Sequence, residues 1–223
     1  MQKRLLILCL GLILSCGSII YAKSITTVPD ERPTEIIFLL DRSGSMGGLE
    51  TDTIGGFNGF VKKQSEMGYT KITTILFDDR YEVLHDGVNA ADVVLTPEEY
   101  YTRGSTALLD AIGKTINDVS ARLEKLPESE QPKQVIFVIT TDGYENSSRE
   151  FTYVKIGEMI KLQQEKYNWE FIFMGANIDV EKESSKLNIP SKNAFRYEAS
   201  GDGTQEMYKN ADAVVTESRN KNQ

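Results

Sequence analysis

Short apolar runs alternate with longer segments of helical period through most of the chain. The runs predict strands over residues 36–40, 71–77, 134–140 and 169–174, and the segments between them predict helices over residues 49–64, 106–125 and 151–167. Because strands that alternate with helices pair in parallel through helical crossovers, this order indicates a doubly wound, Rossmann-like α/β fold with helices on both faces of the sheet.

Two parts of the chain depart from that alternation. The turn at residues 78–80 is too short for a crossover, so residues 81–85 are predicted to return as an antiparallel edge strand. Residues 86–104 lack a clear period and are predicted to wrap across the surface. A short helix, an edge strand and a closing helix are predicted over residues 181–187, 194–197 and 204–219. The expected sheet is therefore six-stranded and mostly parallel, with one antiparallel edge strand.

The start of the chain has the pattern of a secretory signal. A basic pair and an apolar stretch over residues 5–20 precede Ala22, and a polar segment follows. Cleavage after Ala22 divides the chain into a signal peptide, a linker, one domain and a tail over residues 1–22, 23–34, 35–219 and 220–223. The protein is therefore predicted to be exported, as a secreted, periplasmic or cell-envelope protein.

Both cysteines, Cys9 and Cys16, lie within the predicted signal. The segment ending at Cys16 faintly resembles a bacterial lipobox, although Leu14 fits that pattern poorly, so lipidation of Cys16 is an alternative to cleavage after Ala22. A retained signal anchor is a third alternative, although the apolar stretch is shorter than the roughly 20 residues that a membrane span needs. The predicted domain contains no thiol and cannot form an internal disulfide.

The composition is that of one soluble globular domain, with 40% apolar and 26% charged residues in 223. The net charge is −8, from 25 Lys and Arg against 33 Asp and Glu. Because an acidic surface repels phosphate backbones and anionic lipid headgroups, nucleic acid is not expected as a partner. Membrane attachment is expected only through a lipidated Cys16 or a retained anchor.

Three segments carry oxygen-bearing side chains that suit a divalent cation. The first strand ends in Asp41, and Ser43 and Ser45 follow at alternate positions in a turn that contains glycine. A hard cation such as Mg²⁺ prefers oxygen ligands in octahedral geometry, and this loop offers three of them. The remaining ligands have to come from elsewhere. Two later segments can supply them: residues 104–108, where a helix is predicted to begin, and residues 138–143, at the end of a later apolar strand.

This combination resembles the von Willebrand factor A domain, whose metal-ion-dependent adhesion site (MIDAS) follows the same pattern. The resemblance covers residues 35–218 and matches all five metal positions: Asp41, Ser43, Ser45, Thr106 and Asp142. It implies that the strands before the two aspartates lie side by side. It also implies that the three hydroxyls bind the cation directly, while the carboxylates often act through water. An open coordination position then captures an Asp or Glu side chain of a protein partner.

Mg²⁺ is the expected cation on grounds of availability and oxygen chemistry, with Mn²⁺ and Ca²⁺ as alternatives. Tyr144, Glu145 and Asn146 follow the third metal segment and are expected on the rim of the site, where they would select the partner; an ordinary solvated loop is the alternative. For Thr106 the alternative role is capping of the helix that follows, which Ser105 could also fill.

Enzyme classes that share parts of this pattern fit it less well. A phosphatase of the haloacid dehalogenase type needs a second carboxylate where this chain has Ser43. A serine hydrolase needs a glycine where this chain has Asp41, and it needs a histidine base, whereas the single histidine, His85, is predicted to be an ordinary surface residue. Residues 55–59 are rich in glycine but lie in a predicted helix, where close packing on the sheet is their expected role.

The sequence therefore predicts an exported, metal-dependent protein-binding module for adhesion or assembly, and not an enzyme. The alternative is a metal-dependent hydrolase of a small phosphorylated or acidic substrate, because a bound cation can polarise a phosphoryl oxygen. Such a hydrolase would have only Asp41 or Asp142 as a base, and both are needed for the metal.

Overall fold

The computed structural model describes residues 30–221, along which six strands and five α-helices alternate. The strands are β1 (Thr34–Asp41), β2 (Thr70–Phe77), β3 (Tyr81–Asn89), β4 (Gln134–Thr141), β5 (Glu170–Gly175) and β6 (Ala194–Arg196). The helices are α1 (Glu50–Glu66), α2 (Leu108–Leu123), α3 (Tyr153–Tyr167), α4 (Val180–Lys186) and α5 (Gly201–Lys221). The predicted signal peptide, the cleavage after Ala22, the lipidation of Cys16 and most of the predicted linker lie outside the described residues.

The sheet confirms the predicted fold class. Its strand order is β3-β2-β1-β4-β5-β6. Neighbouring strands pair in parallel except for β3, which runs antiparallel to β2 at one edge. The chain proceeds outward from β1 to β3 on one side and from β4 to β6 on the other. The strand order therefore reverses between β1 and β4, which is where open α/β sheets bind their ligands.

The two central strands are enclosed by helices on both sides, since every residue of β1 and β4 is buried. Successive residues of β1 point to opposite faces. Ile37 and Leu39 pack with α2 and α3, while Ile36, Phe38 and Leu40 pack with α1 and α5. Strands covered on both faces read as continuous apolar runs, which is why the sequence pattern located them.

The prediction that residues 86–104 wrap across the surface is wrong in part. β3 continues to Asn89, and Leu95 and Tyr100 are buried in the core face that α1 covers. Asn58 of α1 holds the segment, because its Oδ1 accepts from Leu95 N at 2.8 Å and its Nδ2 donates to Leu95 O at 2.9 Å. An irregular segment buries side chains wherever its backbone turns inward, so these apolar residues follow no period.

Helix α2 begins at Leu108, two residues later than predicted. Its N-cap residue is Ala107, so neither Ser105 nor Thr106 takes the capping role considered for them. Instead, a carboxylate oxygen of Glu145 accepts from the N–H of Leu109 at 3.0 Å. A carboxylate at this position satisfies an unpaired N–H and interacts favourably with the helix dipole.

His85, predicted to be an ordinary surface residue, lies in β3 and is half-buried. Burial lowers the pKa of its imidazole.

Within residues 30–221, no helix combines the length and the apolar content that a membrane span needs.

Gly56 lets α1 pack closely against α5, rather than against the sheet as the sequence suggested. A Cβ at Gly56 would lie 2.7 Å from Cγ and Cε2 of the Tyr208 ring, whereas nothing lies within 4 Å of a Cβ at Gly59. Gly56→Ala is therefore expected to lower the free energy of unfolding by about 1–3 kcal/mol, because overpacking forces the helices apart. Gly59→Ala, in the same helix, is expected to raise it by about 0.5–1 kcal/mol. Urea unfolding followed by circular dichroism measures both, and equal effects would contradict the packing role of Gly56.

Candidate metal centre

The candidate site lies at the carboxyl end of the sheet, where β1 and β4 run side by side. Leu40 pairs with Thr140 in the parallel register, so Asp41 and Asp142 emerge next to each other. Loops that diverge where the strand order reverses leave a crevice between them. The expectation that these two strands are neighbours, which came from the family resemblance, is confirmed.

The loop after β1 turns its two serine hydroxyls toward each other and that of Ser45 toward Asp142. Ser43 Oγ lies 3.1 Å from Ser45 Oγ, and Ser45 Oγ donates to Asp142 Oδ1 at 2.5 Å. Asp41 Oδ1 accepts from the N–H of Ser43 at 2.7 Å, and its Oδ2 accepts from Thr141 Oγ1 at 2.6 Å. A single turn of 3₁₀-helix after Ser43 gives the loop its curl.

Thr106 is brought to the same place by the loop that follows β4. Its N–H donates to Asn146 Oδ1 at 2.9 Å, and its carbonyl oxygen accepts from the N–H of Asn146 at 3.0 Å. A Cβ at Gly143 would lie 3.5 Å from Ser45 Oγ and 3.7 Å from Thr106 Oγ1, so both hydroxyls border the same point. The structure therefore gathers all five side chains of the predicted metal set at one end of the sheet.

The two carboxylates of the site are held in a poorly solvated environment. Burial raises the pKa of Asp41 to about 6, despite the hydrogen bonds that it accepts from Thr141 and Ser43. Burial also raises the pKa of Asp142. Moreover, Oδ2 of Asp142 is enclosed and has no hydrogen-bond partner. A buried carboxylate oxygen without a donor is costly, so the site has acceptor capacity that the protein itself does not use.

The three residues predicted on the rim differ in what their side chains do. Tyr144 is 51% exposed, and its hydroxyl accepts from the N–H of Asp179 at 3.1 Å. Glu145 turns inward to the first turn of α2, and Asn146 holds Thr106. Glu145 and Asn146 thus keep the loop before α2 in place, whereas the ring of Tyr144 is open to solvent.

A buried ion-pair cluster behind the serine loop was not predicted from the sequence. Arg42 is fully buried, with Nε donating to Asp78 Oδ2 at 2.9 Å and Nη2 to Glu82 Oε2 at 2.7 Å. The same Oδ2 of Asp78 accepts from Arg103 Nε at 2.7 Å. The N–H of Arg103 also donates to Arg42 O, and that of Ala107 to Asp78 O, each at 2.9 Å. Asp78 therefore ties the serine loop to the segment that carries Thr106.

Tyr100 was missed as well, since it lies in the segment that was predicted to wrap across the surface. Its hydroxyl donates to the carbonyl oxygen of Asp41 at 2.6 Å. One sequence signal points to the ion-pair cluster. Arg42 and Asp78 each follow the last residue of a buried strand, where a charged residue needs a partner. No comparable signal marks Tyr100.

Comparisons with known proteins bear on the fold. No protein-family model matches the sequence, and no curated protein matches it. Among solved structures, the chain is similar to the vWF domain of the type V pili tip protein Mfa5 from Porphyromonas gingivalis. The TM-score is 0.63 at 11% sequence identity, over 83% of this chain and 96% of that one.

Two further solved structures share the architecture. Proximal thread matrix protein 1 from the mussel byssus, with a zinc-occupied MIDAS motif, matches at a TM-score of 0.55 and 19% identity over 85% of this chain and 47% of that one. Manganese-loaded TRAP from Plasmodium vivax matches at a TM-score of 0.52 and 17% identity, over 81% of this chain and 73% of that one. The chain thus spans about half the length of the mussel chain that it matches. At these identities the likeness shows the fold alone, and that fold is the von Willebrand factor A fold.

Proposed function

We propose that this chain is an exported, metal-dependent protein-binding module that captures an acidic side chain of a partner through a bound divalent cation. The proposed ligands are Asp41, Ser43, Ser45, Thr106 and Asp142. The observation that carries the proposal is that three hydroxyls and two buried carboxylates, from three distant segments, meet at one end of the sheet.

The donor set suits a hard divalent cation. All five side chains offer oxygen, the ligand atom that Mg²⁺, Mn²⁺ and Ca²⁺ prefer. Asp142 Oδ2, buried and without a donor, is an acceptor that a cation or its bound water would satisfy. The described residues contain no group of three or more His, Cys, Asp or Glu arranged to hold a metal, so a site here depends on the neutral hydroxyls. Mg²⁺ is our proposal on grounds of availability, with Mn²⁺ and Ca²⁺ as alternatives.

The neutral ligands account for the expected preference for an acidic partner. When bound, the cation supplies a Lewis-acidic position whose positive charge the three hydroxyls leave largely unquenched. The buried Asp41 and Asp142 keep negative charge behind that position rather than in front of it. A carboxylate of a partner gains most where the interface excludes water, because the local dielectric is then low. The exposed ring of Tyr144 is placed to contribute to that exclusion.

The names of the similar structures support a role in adhesion or assembly outside the cell. They include a pili tip protein and a byssus thread matrix protein. We propose the same general role here, with a protein partner that presents Asp or Glu, and with no nucleic acid partner. Cleavage after Ala22 and lipidation of Cys16 are alternative ways of processing the N-terminus, and mass determination of the mature N-terminus distinguishes them.

Magnesium is expected to raise the unfolding temperature of the wild-type protein but not that of Asp142→Asn. A ligand present at one hundred times its Kd stabilises the folded state by about 2.7 kcal/mol. Asp142→Asn keeps the size of the side chain and removes its charge. Asp92→Asn, an exposed acid beyond the far end of β3, is the matched control and should respond like the wild type. Scanning calorimetry in chelator and then in Mg²⁺ measures the shift; an unchanged wild-type unfolding temperature would contradict the metal site.

Partner capture then separates the binding module from the hydrolase alternative. Immobilised protein in Mg²⁺ is expected to retain a protein from the medium or envelope of the source, and chelator is expected to release it. An Asp142→Asn column is expected to retain nothing. Turnover of generic phosphoesters that is lost in Asp41→Ala would instead favour the hydrolase.

A further inference from the structure

A group of buried hydroxyls lies behind the metal centre, between α1, α5 and the segment after β6. Four side chains in it carry hydroxyls and are buried: Thr53, Tyr197, Thr204 and Tyr208. We call these four side chains the hydroxyl cluster. The hydroxyls of Tyr197, Thr204 and Tyr208 are enclosed and have no hydrogen-bond partner, whereas that of Thr53 faces the hydroxyl of Tyr100. Buried polar groups are almost always paired with protein or with ordered water, so three unpaired hydroxyls in one region need a common explanation.

Backbone hydrogen bonds bring Tyr197 to the metal centre. Its N–H donates to Gly175 O at 3.0 Å, and the N–H of Ala176 donates to Thr141 O at 3.0 Å. Tyr197 is thus separated only by the end of β5 from Thr141, the residue that precedes Asp142. Burial first, and then the nearby carboxylates of the metal centre, raise the pKa of the Tyr197 hydroxyl well above its usual value. The negative charges of those carboxylates therefore act on the Tyr197 hydroxyl.

The other members of the cluster come from two adjacent helix ends. Thr53 lies in the first turn of α1, and Thr204 lies in the first turn of α5. These ends are in contact, because a Cβ at Gly201 would lie 2.7 Å from Asp52 Oδ2. Tyr208 follows Thr204 by four residues and so shares its face of α5. Tyr197 and Tyr208 belong to the same face of the core, which α1 and α5 cover.

We propose that the hydroxyl cluster binds ordered water, and that Tyr197 is a positioning residue of the metal centre whose hydroxyl donates through this water to Asp142. The link to the metal rests on the proposed function, whereas the water site does not. The two orphaned groups are complementary, since the phenol is a donor without an acceptor and Asp142 Oδ2 is an acceptor without a donor. A buried water typically makes about three hydrogen bonds, which suits a site lined by several hydroxyls.

The positioning role is tested by comparing Tyr197→Phe with Tyr69→Phe. Both substitutions remove one phenolic oxygen, but Tyr69 is exposed next to the start of β2, at the opposite end of the sheet. Titration calorimetry is expected to show Mg²⁺ binding weakened about tenfold or more in Tyr197→Phe, as is usual for residues that orient a metal ligand, and unchanged in Tyr69→Phe. Wild-type affinity in Tyr197→Phe would overturn the positioning role.

The water site is tested separately in the metal-free protein. Removing a hydroxyl that binds water is expected to lower the urea midpoint of unfolding, whereas removing a dry, unpaired hydroxyl raises it. Thr204→Val and Tyr208→Phe are therefore expected to unfold at lower urea than the wild type. A high-resolution crystal structure in chelator is expected to show water within hydrogen-bond distance of Tyr197 Oη.

The outcomes of these measurements are distinguishable. A dry cluster, together with raised midpoints in both variants, would overturn the water site. If the water is present but the wild-type protein does not bind Mg²⁺, the proposed function and the positioning role fail together, and the water site stands.

Discussion

Asp78→Ala is expected to lower the free energy of unfolding by about 3 kcal/mol or more. Asp78 is buried, and its Oδ2 accepts from the guanidinium groups of both Arg42 and Arg103. Truncation leaves the enclosed guanidinium of Arg42 with Glu82 alone, whose side chain is half exposed. Removing one member of a buried ion pair costs about 3–5 kcal/mol, because the other charge stays buried without compensation. Urea unfolding in chelator measures the loss without a contribution from metal.

The neighbouring Asp79→Ala is the matched control. It removes the same charge one residue later, from an exposed side chain that makes no ion pair with any residue of the described part of the chain. Asp79→Ala is expected to change the free energy of unfolding by no more than about 0.5 kcal/mol, as is usual for surface substitutions. Asp78→Ala is also expected to weaken Mg²⁺ binding about tenfold, because the cluster holds the loops that carry Ser43 and Thr106. Equal losses of stability in the two variants would show that the ion pairs do not hold these loops.

In chelator, Asp41→Asn is expected to be more stable than the wild type by about 3 kcal/mol at pH 8 and equal to it near pH 4. The pKa of Asp41 is about 6 in the folded protein, against 3.8 for an unperturbed aspartate. The folded state therefore binds the proton more tightly than the unfolded state, so wild-type stability falls as pH rises from about 4 to about 6. Each unit of pKa difference corresponds to about 1.4 kcal/mol. The asparagine variant has no such titration.

Urea unfolding across this pH range measures the difference between the two proteins, from which the titrations that they share cancel. Saturating Mg²⁺ is expected to remove the advantage of Asp41→Asn at pH 8, because the cation stabilises the ionised carboxylate in the wild type alone. Parallel stability curves for the two proteins in chelator would show that folding does not raise the pKa of Asp41.

The central sheet could be predicted because its signals are local. Strands such as β1 and β4 read as apolar runs, since side chains on both faces are buried, and the short turn at residues 78–80 by itself requires β3 to be antiparallel. The segment before α2 could not be predicted in the same way. Tyr100 is buried because Asn58 and the loop after β1 draw an irregular backbone inward, and no period records such contacts.

The candidate site, too, could be predicted from the sequence only in part. Asp41, Ser43 and Ser45 share one turn, so their convergence was readable from spacing. Thr106 and Asp142 could be added only by family resemblance, because residue spacing alone does not make two strands neighbours. The partners that hold the site were not predicted. Asp78 and Tyr100 join segments that are far apart in the sequence.

By itself, the sequence determined the fold class, the antiparallel edge strand and the five oxygen-bearing side chains of the proposed metal site, because each of these depends on local pattern or on a recognisable motif. Only the tertiary structure decided which residues hold those five side chains, that Glu145 turns inward to α2, and that four hydroxyls lie buried near the candidate site. The physical reason is that these features depend on hydrogen bonds and ion pairs between distant loops, whose geometry exists only once the sheet has brought the strand ends together.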